Sequence, residues 1–228
     1  VIESNGDYFT PPKEVLKPIS GSMIELRPPN APVSQEEFYI PNYLANAVTD
    51  VNFETLRDNG INTVLLDVDN TLVKVGGEEI NPELLDYLKN TKQKGVIKHL
   101  YLASRARGMS SRIQSVAEQV GAKVILSTVI KRKPSPRWFS EALKFVRETT
   151  EEDLVGPSQM SIIGDRIIHD IKGANKAGLT TVLVNPIGDF VPTDNLSLIP
   201  QRERRQQSRL EFYLNRRQIV HPQLKYLT

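Results

Sequence analysis

From residue 60 onward, short apolar runs alternate with longer segments whose apolar residues recur every three or four positions. Val64-Leu65-Leu66 follows Asn59-Gly60 and closes on Asp67-Val68-Asp69-Asn70-Thr71-Leu72, and a short, partly β-branched apolar run after a turn signal predicts a buried strand. Pro82 to Lys94 is predicted as a helix, with proline near its start, Leu84, Leu85 and Leu88 on one face and Gly95 at its end. Lys98 to Ser104 reads as the next strand, and Gly108 to Val120, with Ile113, Val116 and Val120 at helical spacing, as the next helix. The alternation continues with a strand over Val124 to Leu126, a helix over Pro136 to Arg147, a strand over Met160 to Gly164, a helix over Asp170 to Ala177 and a last strand over Thr180 to Val184. Strands alternating with such helices predict right-handed βαβ units around a parallel sheet, hence an α/β fold.

The flanks read differently. Residues 1–40 hold six of the fifteen prolines and a net charge of −3 without a sustained period, which predicts an extended arm that either wanders or lies along another surface. Residues 41–200 form the expected α/β domain, with Leu44, Val48, Val51 and Phe53 to Leu56 predicting short helical pieces under the sheet. Residues 201–228 form a basic helix and tail, where Arg202, Arg204, Arg205, Arg209, Arg216 and Arg217 accompany Leu210, Phe212, Tyr213 and Leu214. Such a helix either packs its few apolar residues on the core with its cations solvated, or adsorbs to an anionic membrane or an acidic protein partner.

Composition narrows the picture only a little. The 228 residues suffice for one sizeable core, and a net charge of +2 carries no overall signature of nucleic-acid binding. The absence of cysteine excludes disulfides, thiolate metal sites and thiol nucleophiles. No run approaches the roughly 20 apolar residues of a membrane-spanning helix.

The candidate chemistry gathers at the ends of the predicted strands, where open α/β sheets place their ligand crevice. Asp67 and Asp69 end the first, Ser104-Arg105 the second, Lys131-Arg132-Lys133-Pro134 follows the third, and Gly164-Asp165-Arg166-Ile167-Ile168-His169-Asp170 ends the fourth. Pro134 biases Lys133 towards an extended backbone that can point its amine inwards. Asp67, Asp69, Asp165 and Asp170 are thus expected to face one another. So many acids in one crevice are costly if dry and unpaired, and a hard divalent cation with oxygen ligands, magnesium above all, stabilises them. With Lys133 and the Ser104 hydroxyl, such a site suits a phosphoryl group and a carboxylate free to attack it.

The ordered set Asp67-Val68-Asp69-Asn70-Thr71, Ser104, Lys133-Pro134 and Gly164-Asp165 with Asp170 resembles the four motifs of the haloacid dehalogenase (HAD) superfamily of phosphohydrolases. More narrowly, residues 41–205 resemble its YqeG-like branch, which includes phosphatidylglycerophosphate (PGP) phosphatases, through Asp69-Asn70-Thr71-Leu72, Gly164-Asp165-Arg166, Asp170-Ile171, Asn175, Gly178 and Asn185-Pro186-Ile187. The resemblance implies a Rossmannoid three-layer sandwich and a magnesium-dependent phosphatase. Asp67 would be the nucleophile and a metal ligand, while Asp69 would act as acid and base, its backbone carbonyl also touching the metal. Thr71 and Ser104 would bind phosphoryl oxygens, Lys133 would neutralise charge, Asp165 would complete the metal site and Asp170 would be an outer ligand. The chain departs from the branch in having Arg105 after Ser104, which either contacts an acidic headgroup or points to solvent, and His169 before Asp170, expected to be structural.

HAD enzymes often carry an inserted cap domain, but 32 residues separate Thr71 from Ser104 and 28 separate Ser104 from Lys133. A helix and its loops fill each interval, so no cap is expected, and an open crevice favours a phosphate displayed on a surface. Arg105, Arg107, Lys131, Arg132, Arg137 and Arg166 near the rim and the basic C-terminal helix suit an anionic phospholipid or membrane surface. The leading reading is therefore conversion of phosphatidylglycerophosphate to phosphatidylglycerol, in the cardiolipin pathway, by a peripheral membrane protein. Two others stand beside it: a phosphatase of a soluble or protein-borne phosphate, and a HAD-fold assembly subunit gripping a protein partner through its arm or basic tail. By analogy the location is the matrix face of the inner mitochondrial membrane or a plastid, or the cytoplasm of a bacterium.

Overall fold

The fold, taken from a computed structural model, is described for residues 23–29, 31–104, 111–125, 133–150, 155–188 and 198–216. Seven strands, β1 (Ile24–Glu25), β2 (Tyr43–Ala45), β3 (Thr63–Leu66), β4 (His99–Leu102), β5 (Lys123–Val124), β6 (Met160–Gly164) and β7 (Thr180–Val184), form one sheet in the order β1-β2-β7-β6-β3-β4-β5. All neighbours pair in parallel except β1 with β2. β3, β6 and β7 are buried at every position, which explains why they read as unbroken apolar runs.

Six α-helices flank the sheet: α1 (Phe53–Asp58), α2 (Pro82–Gln93), α3 (Ser111–Val120), α4 (Pro136–Thr150), α5 (Gly173–Ala177) and α6 (Leu198–Arg216). Local chemistry sets their starts: the Asn52 side chain accepts from Thr55 N at 2.9 Å, and Asn81 accepts from Glu83 N at 2.9 Å with Pro82 at the first helical position. On one face of the sheet, α1, α2 and α3 bury Phe53, Leu56, Leu84, Leu88, Ile113 and Val116. On the other, α4 and α5 bury Trp138, Phe139, Ala142 and Ala174. Helices on both faces of a mostly parallel sheet make the expected three-layer α/β architecture.

Two local readings change. Leu44, expected in a helical piece, lies fully buried in β2, because three residues are too few to show a strand period. The helix expected from Asp170 begins earlier, as a π-helical segment over Ile167–Lys172 that passes into α5, since Ile167 and Ile171 are also four apart. Part of the proline-rich arm packs on the domain. Met23, Leu26 and Ile40 are buried, Arg27 Nε donates to Ile40 O at 3.1 Å, and Arg27 also bonds the Asn175 side chain. Residues 1–22 of the arm, Leu126, and residues 217–228 of the tail lie outside the described residues.

Candidate active site

The site is assembled at the C-terminal edge of three adjacent strands, β6, β3 and β4. Beyond β3 the ladder continues as Asp67 N donates to Ile163 O at 2.9 Å, and beyond β4 as Ala103 N donates to Leu66 O at 2.7 Å. These bonds hold Asp67 and Ser104 on adjacent strand ends, with Asp165 just past β6. Asp67, Asp165 and Asp170 each offer an oxygen within 4.8 Å of the others.

Lys133, from the loop before α4, enters this cluster with its side chain fully shielded from solvent. Its Nζ lies 2.5 Å from Asp67 Oδ1 and 2.6 Å from Asp170 Oδ1. The Lys133-Pro134 peptide bond is cis. Asp170 is fixed from the other side as well, its Oδ2 accepting from Arg166 N at 3.1 Å. Gly164 leaves the space for that carboxylate: a Cβ there would lie 2.5 Å from Asp170 Oδ2 and 2.8 Å from Asp170 Cβ.

Burial, the largest influence, pushes the Asp67 carboxyl up to about 6; Lys133 opposes this, while Asp170 and Asp69 add to it. Asp165 is held well above the ordinary carboxyl range, first by burial and then by repulsion from Asp67 and Asp170. Burial alone would lower the Lys133 ammonium, but Asp170 and Asp67 together keep it above its ordinary value. Three clustered acids, two of them bonded to one lysine, are a donor set that fits a hard divalent cation, which would relieve the repulsion that one ammonium leaves.

Asp69 stands apart from this cluster, so the expected ring of four acids is a cluster of three with the fourth on the rim. Two residues beyond Asp67, its side chain is 39% exposed and pairs with Arg112, Nη1 to Oδ1 at 3.0 Å and Nη2 to Oδ2 at 3.1 Å. Gly76 N also donates to Asp69 Oδ1 at 3.2 Å, and Arg112 Nη1 donates to Gly77 O at 2.9 Å. Arg112 is the residue that sequence reasoning missed. Its only advance signal was its position at the start of the helix after Ser104-Arg105.

Of the remaining expected residues, Thr71 and Ser104 are buried. The Thr71 hydroxyl has no hydrogen-bond partner among the described residues, which leaves it available to an incoming oxygen. Of the run before Pro134, Lys133 is the residue seen in the site; Lys131 and Arg132, like Arg105 and Arg107, lie outside the described residues. His169 is buried in the π-helical segment. Asn70, with φ of 62°, makes the sharp turn after Asp69, and its carbonyl accepts from Ile187 N at 2.8 Å. Val75 and Ile187, which lie close to this turn, are 65% and 42% exposed.

The sequence of residues 31–188 matches the family model described as mitochondrial PGP phosphatase. "Probable phosphatase YqeG" of Bacillus subtilis is 26% identical over 152 residues, covering 67% of this chain and 80% of the relative. "Phosphatidylglycerophosphate phosphatase 1, chloroplastic/mitochondrial" of Arabidopsis thaliana is 25% identical over 162 residues, 68% of this chain but 43% of that protein. Among solved structures, the magnesium-bound HAD-hydrolase YfnB of Bacillus subtilis aligns at 23% identity with a TM-score of 0.38, covering 53% of this chain and 50% of that one.

Proposed function

We propose that this chain, which belongs to the mitochondrial PGP phosphatase family and is a phosphatase of HAD type, hydrolyses a lipid phosphomonoester through a covalent phosphoaspartate on Asp67. The observation that carries the reading is the buried Lys133 bridging Asp67 and Asp170 beside Asp165. It sets one carboxylate at the crevice with positive charge behind it.

An oxygen of Asp67 attacks phosphorus as the bond from phosphorus to the substrate's alcohol oxygen breaks, and Asp69 gives that oxygen its proton. Asp69 then takes a proton from a water that attacks the phosphoaspartate, freeing inorganic phosphate and restoring Asp67. Lys133 offsets charge on Asp67 and on the phosphoryl oxygens, which Thr71 and Ser104 bind. Arg112 holds Asp69 at the rim until substrate arrives, so it is a positioning residue. Magnesium, held by Asp67 and Asp165 with Asp170 further out and the Asp69 carbonyl adding a ligand, would supply the further positive charge that lets an anionic carboxylate approach an anionic phosphate.

We assign phosphatidylglycerophosphate as the substrate and an inner mitochondrial or plastid membrane as the place of action. The plant relative's name supports this, and so do the exposed apolar Val75 and Ile187 near the Asp69-Asn70 turn. The test is phosphate release from phosphatidylglycerophosphate in mixed micelles with magnesium, expected for the natural chain and absent in Asp67→Asn. Turnover of p-nitrophenyl phosphate without any release from the lipid would overturn the lipid assignment and leave a phosphatase of soluble or protein-borne phosphates.

A further inference from the structure

α6 turns Gln206, Leu210 and Leu214 inward and leaves Arg205, Arg209, Phe212 and Arg216 exposed. Steps of four, three and four residues place those four on one outward stripe. Phe212 is 64% exposed in the middle of this cationic stripe. At its inner side, Arg209 lies 6.0 Å from the Tyr39 ring centroid and Lys176 Nζ lies 5.4 Å from that of Phe38. Lys172 and Lys176, with Phe38 and Gln35, line a cleft of about 420 Å³. No carboxylate among the described residues forms an ion pair with Lys172, Lys176 or Arg209.

Two lysines on one cleft, with Arg209 over the ring of the neighbouring Tyr39 and no carboxylate of the described residues paired with them, favour an anion there. Resting on the reading of the chain as a lipid phosphatase, we propose that this cleft and the outer stripe of α6 form a second anion site, which grips the phosphate headgroups of an anionic bilayer. A soluble anion would satisfy the lysines but give Phe212 nothing, whereas a bilayer supplies surface charge for the arginines and an interface for the ring. The site is separate from the catalytic cluster yet joined to it, because the π-helical segment that carries Asp170 ends at Lys172. Docking here would hold the catalytic edge beside the surface that presents its substrate.

The test is sedimentation of the full chain with vesicles of phosphatidylcholine alone and of phosphatidylcholine mixed equally with phosphatidylglycerol. Binding is expected only to the mixed vesicles and should weaken as salt is added. Each cation near an anionic surface strengthens partitioning by roughly fivefold, so Lys172→Ala/Lys176→Ala/Arg209→Ala should weaken it on the order of a hundredfold. Arg205→Ser/Arg216→Ser alters only exposed side chains and should weaken it roughly 25-fold, with turnover of p-nitrophenyl phosphate unchanged. A full chain that ignores the mixed vesicles, or variants that bind them like the natural chain, would overturn the proposal. Protection of Lys172 and Lys176 from acylation by inorganic phosphate, with vesicle binding unaltered in the triple variant, would assign the cleft to a soluble anion and also overturn it. Sedimentation needs no catalysis. Lost docking with intact micellar turnover sinks the bilayer site alone, and intact docking without lipid turnover sinks the lipid phosphatase reading alone.

Discussion

Lys133 decides both the stability and the charge of the site, because its buried ammonium is shared by Asp67 and Asp170. Removing one partner of a buried ionic group strands the others, at a cost of about 3–5 kcal/mol. Lys133→Met should therefore lower the unfolding free energy by about that amount in metal-free protein and abolish turnover. Urea denaturation in EDTA measures the first effect; a loss below about 1 kcal/mol would mean that the acids protonate without strain once the lysine is gone. The same acids make stability depend on pH. Asp67 is raised to about 6 and Asp165 is raised well above its ordinary value, so in the fold both hold protons that the unfolded chain releases near pH 4. The native state thus binds more protons from about pH 4 to at least about pH 6, and metal-free stability falls as pH rises through that window and stays low above it. Lys133, raised above its ordinary value, contributes stability that is lost only at alkaline pH, outside this window. The proposed magnesium would bind the ionised acids, so it should raise the urea midpoint far more at about pH 7 than at about pH 4. Equal shifts at both values would argue against these carboxylates as its ligands.

At the scale of elements, the site depends on how closely β6 and the π-helical segment approach, and Gly164 sets that approach. A methyl group at this position would push on Asp170, which Lys133 and the Arg166 amide already hold. Gly164→Ala should cost about 1–3 kcal/mol of stability and weaken magnesium binding in calorimetric titration. Unchanged magnesium affinity would show that Asp170 does not need its present position. The legibility of these elements follows their physics. β6 and β7 were readable to the residue because strands buried on both faces are apolar throughout, and the meeting of Asp67, Lys133, Asp165 and Asp170 was readable because they follow successive strands in a fixed order. β2 was not, being three residues long and paired with β7, whose first residue lies 135 positions after the end of β2. Nor was the Asp69–Arg112 pair, since its partners are 43 residues apart and nothing local specifies that contact.

For the whole molecule, the segments outside the βαβ alternation are tied to the catalytic edge through a third core. Leu26 and Ile40 of the arm, Leu44 of β2, Leu183 of β7 and Leu210 and Leu214 of α6 pack with Ile167 and Ile171, which flank Asp170 in the π-helical segment. α6 is thereby a brace for the segment that holds Asp170 as well as the carrier of the arginine stripe. Its propensity alone does not secure a helix so rich in exposed arginine; burial of its apolar side chains does. Leu210 and Leu214 are 2% and 1% exposed, and truncating a buried leucine to alanine costs about 2–5 kcal/mol through lost transfer energy and the cavity left behind. Leu210→Ala should therefore lower stability by about 2–5 kcal/mol in urea denaturation and, by loosening the wall behind Ile171, weaken magnesium binding as well. The expected loss of stability with magnesium affinity unchanged would show that α6 does not brace the segment holding Asp170, whereas a loss of under about 1 kcal/mol would show that the third core does not hold α6 in place.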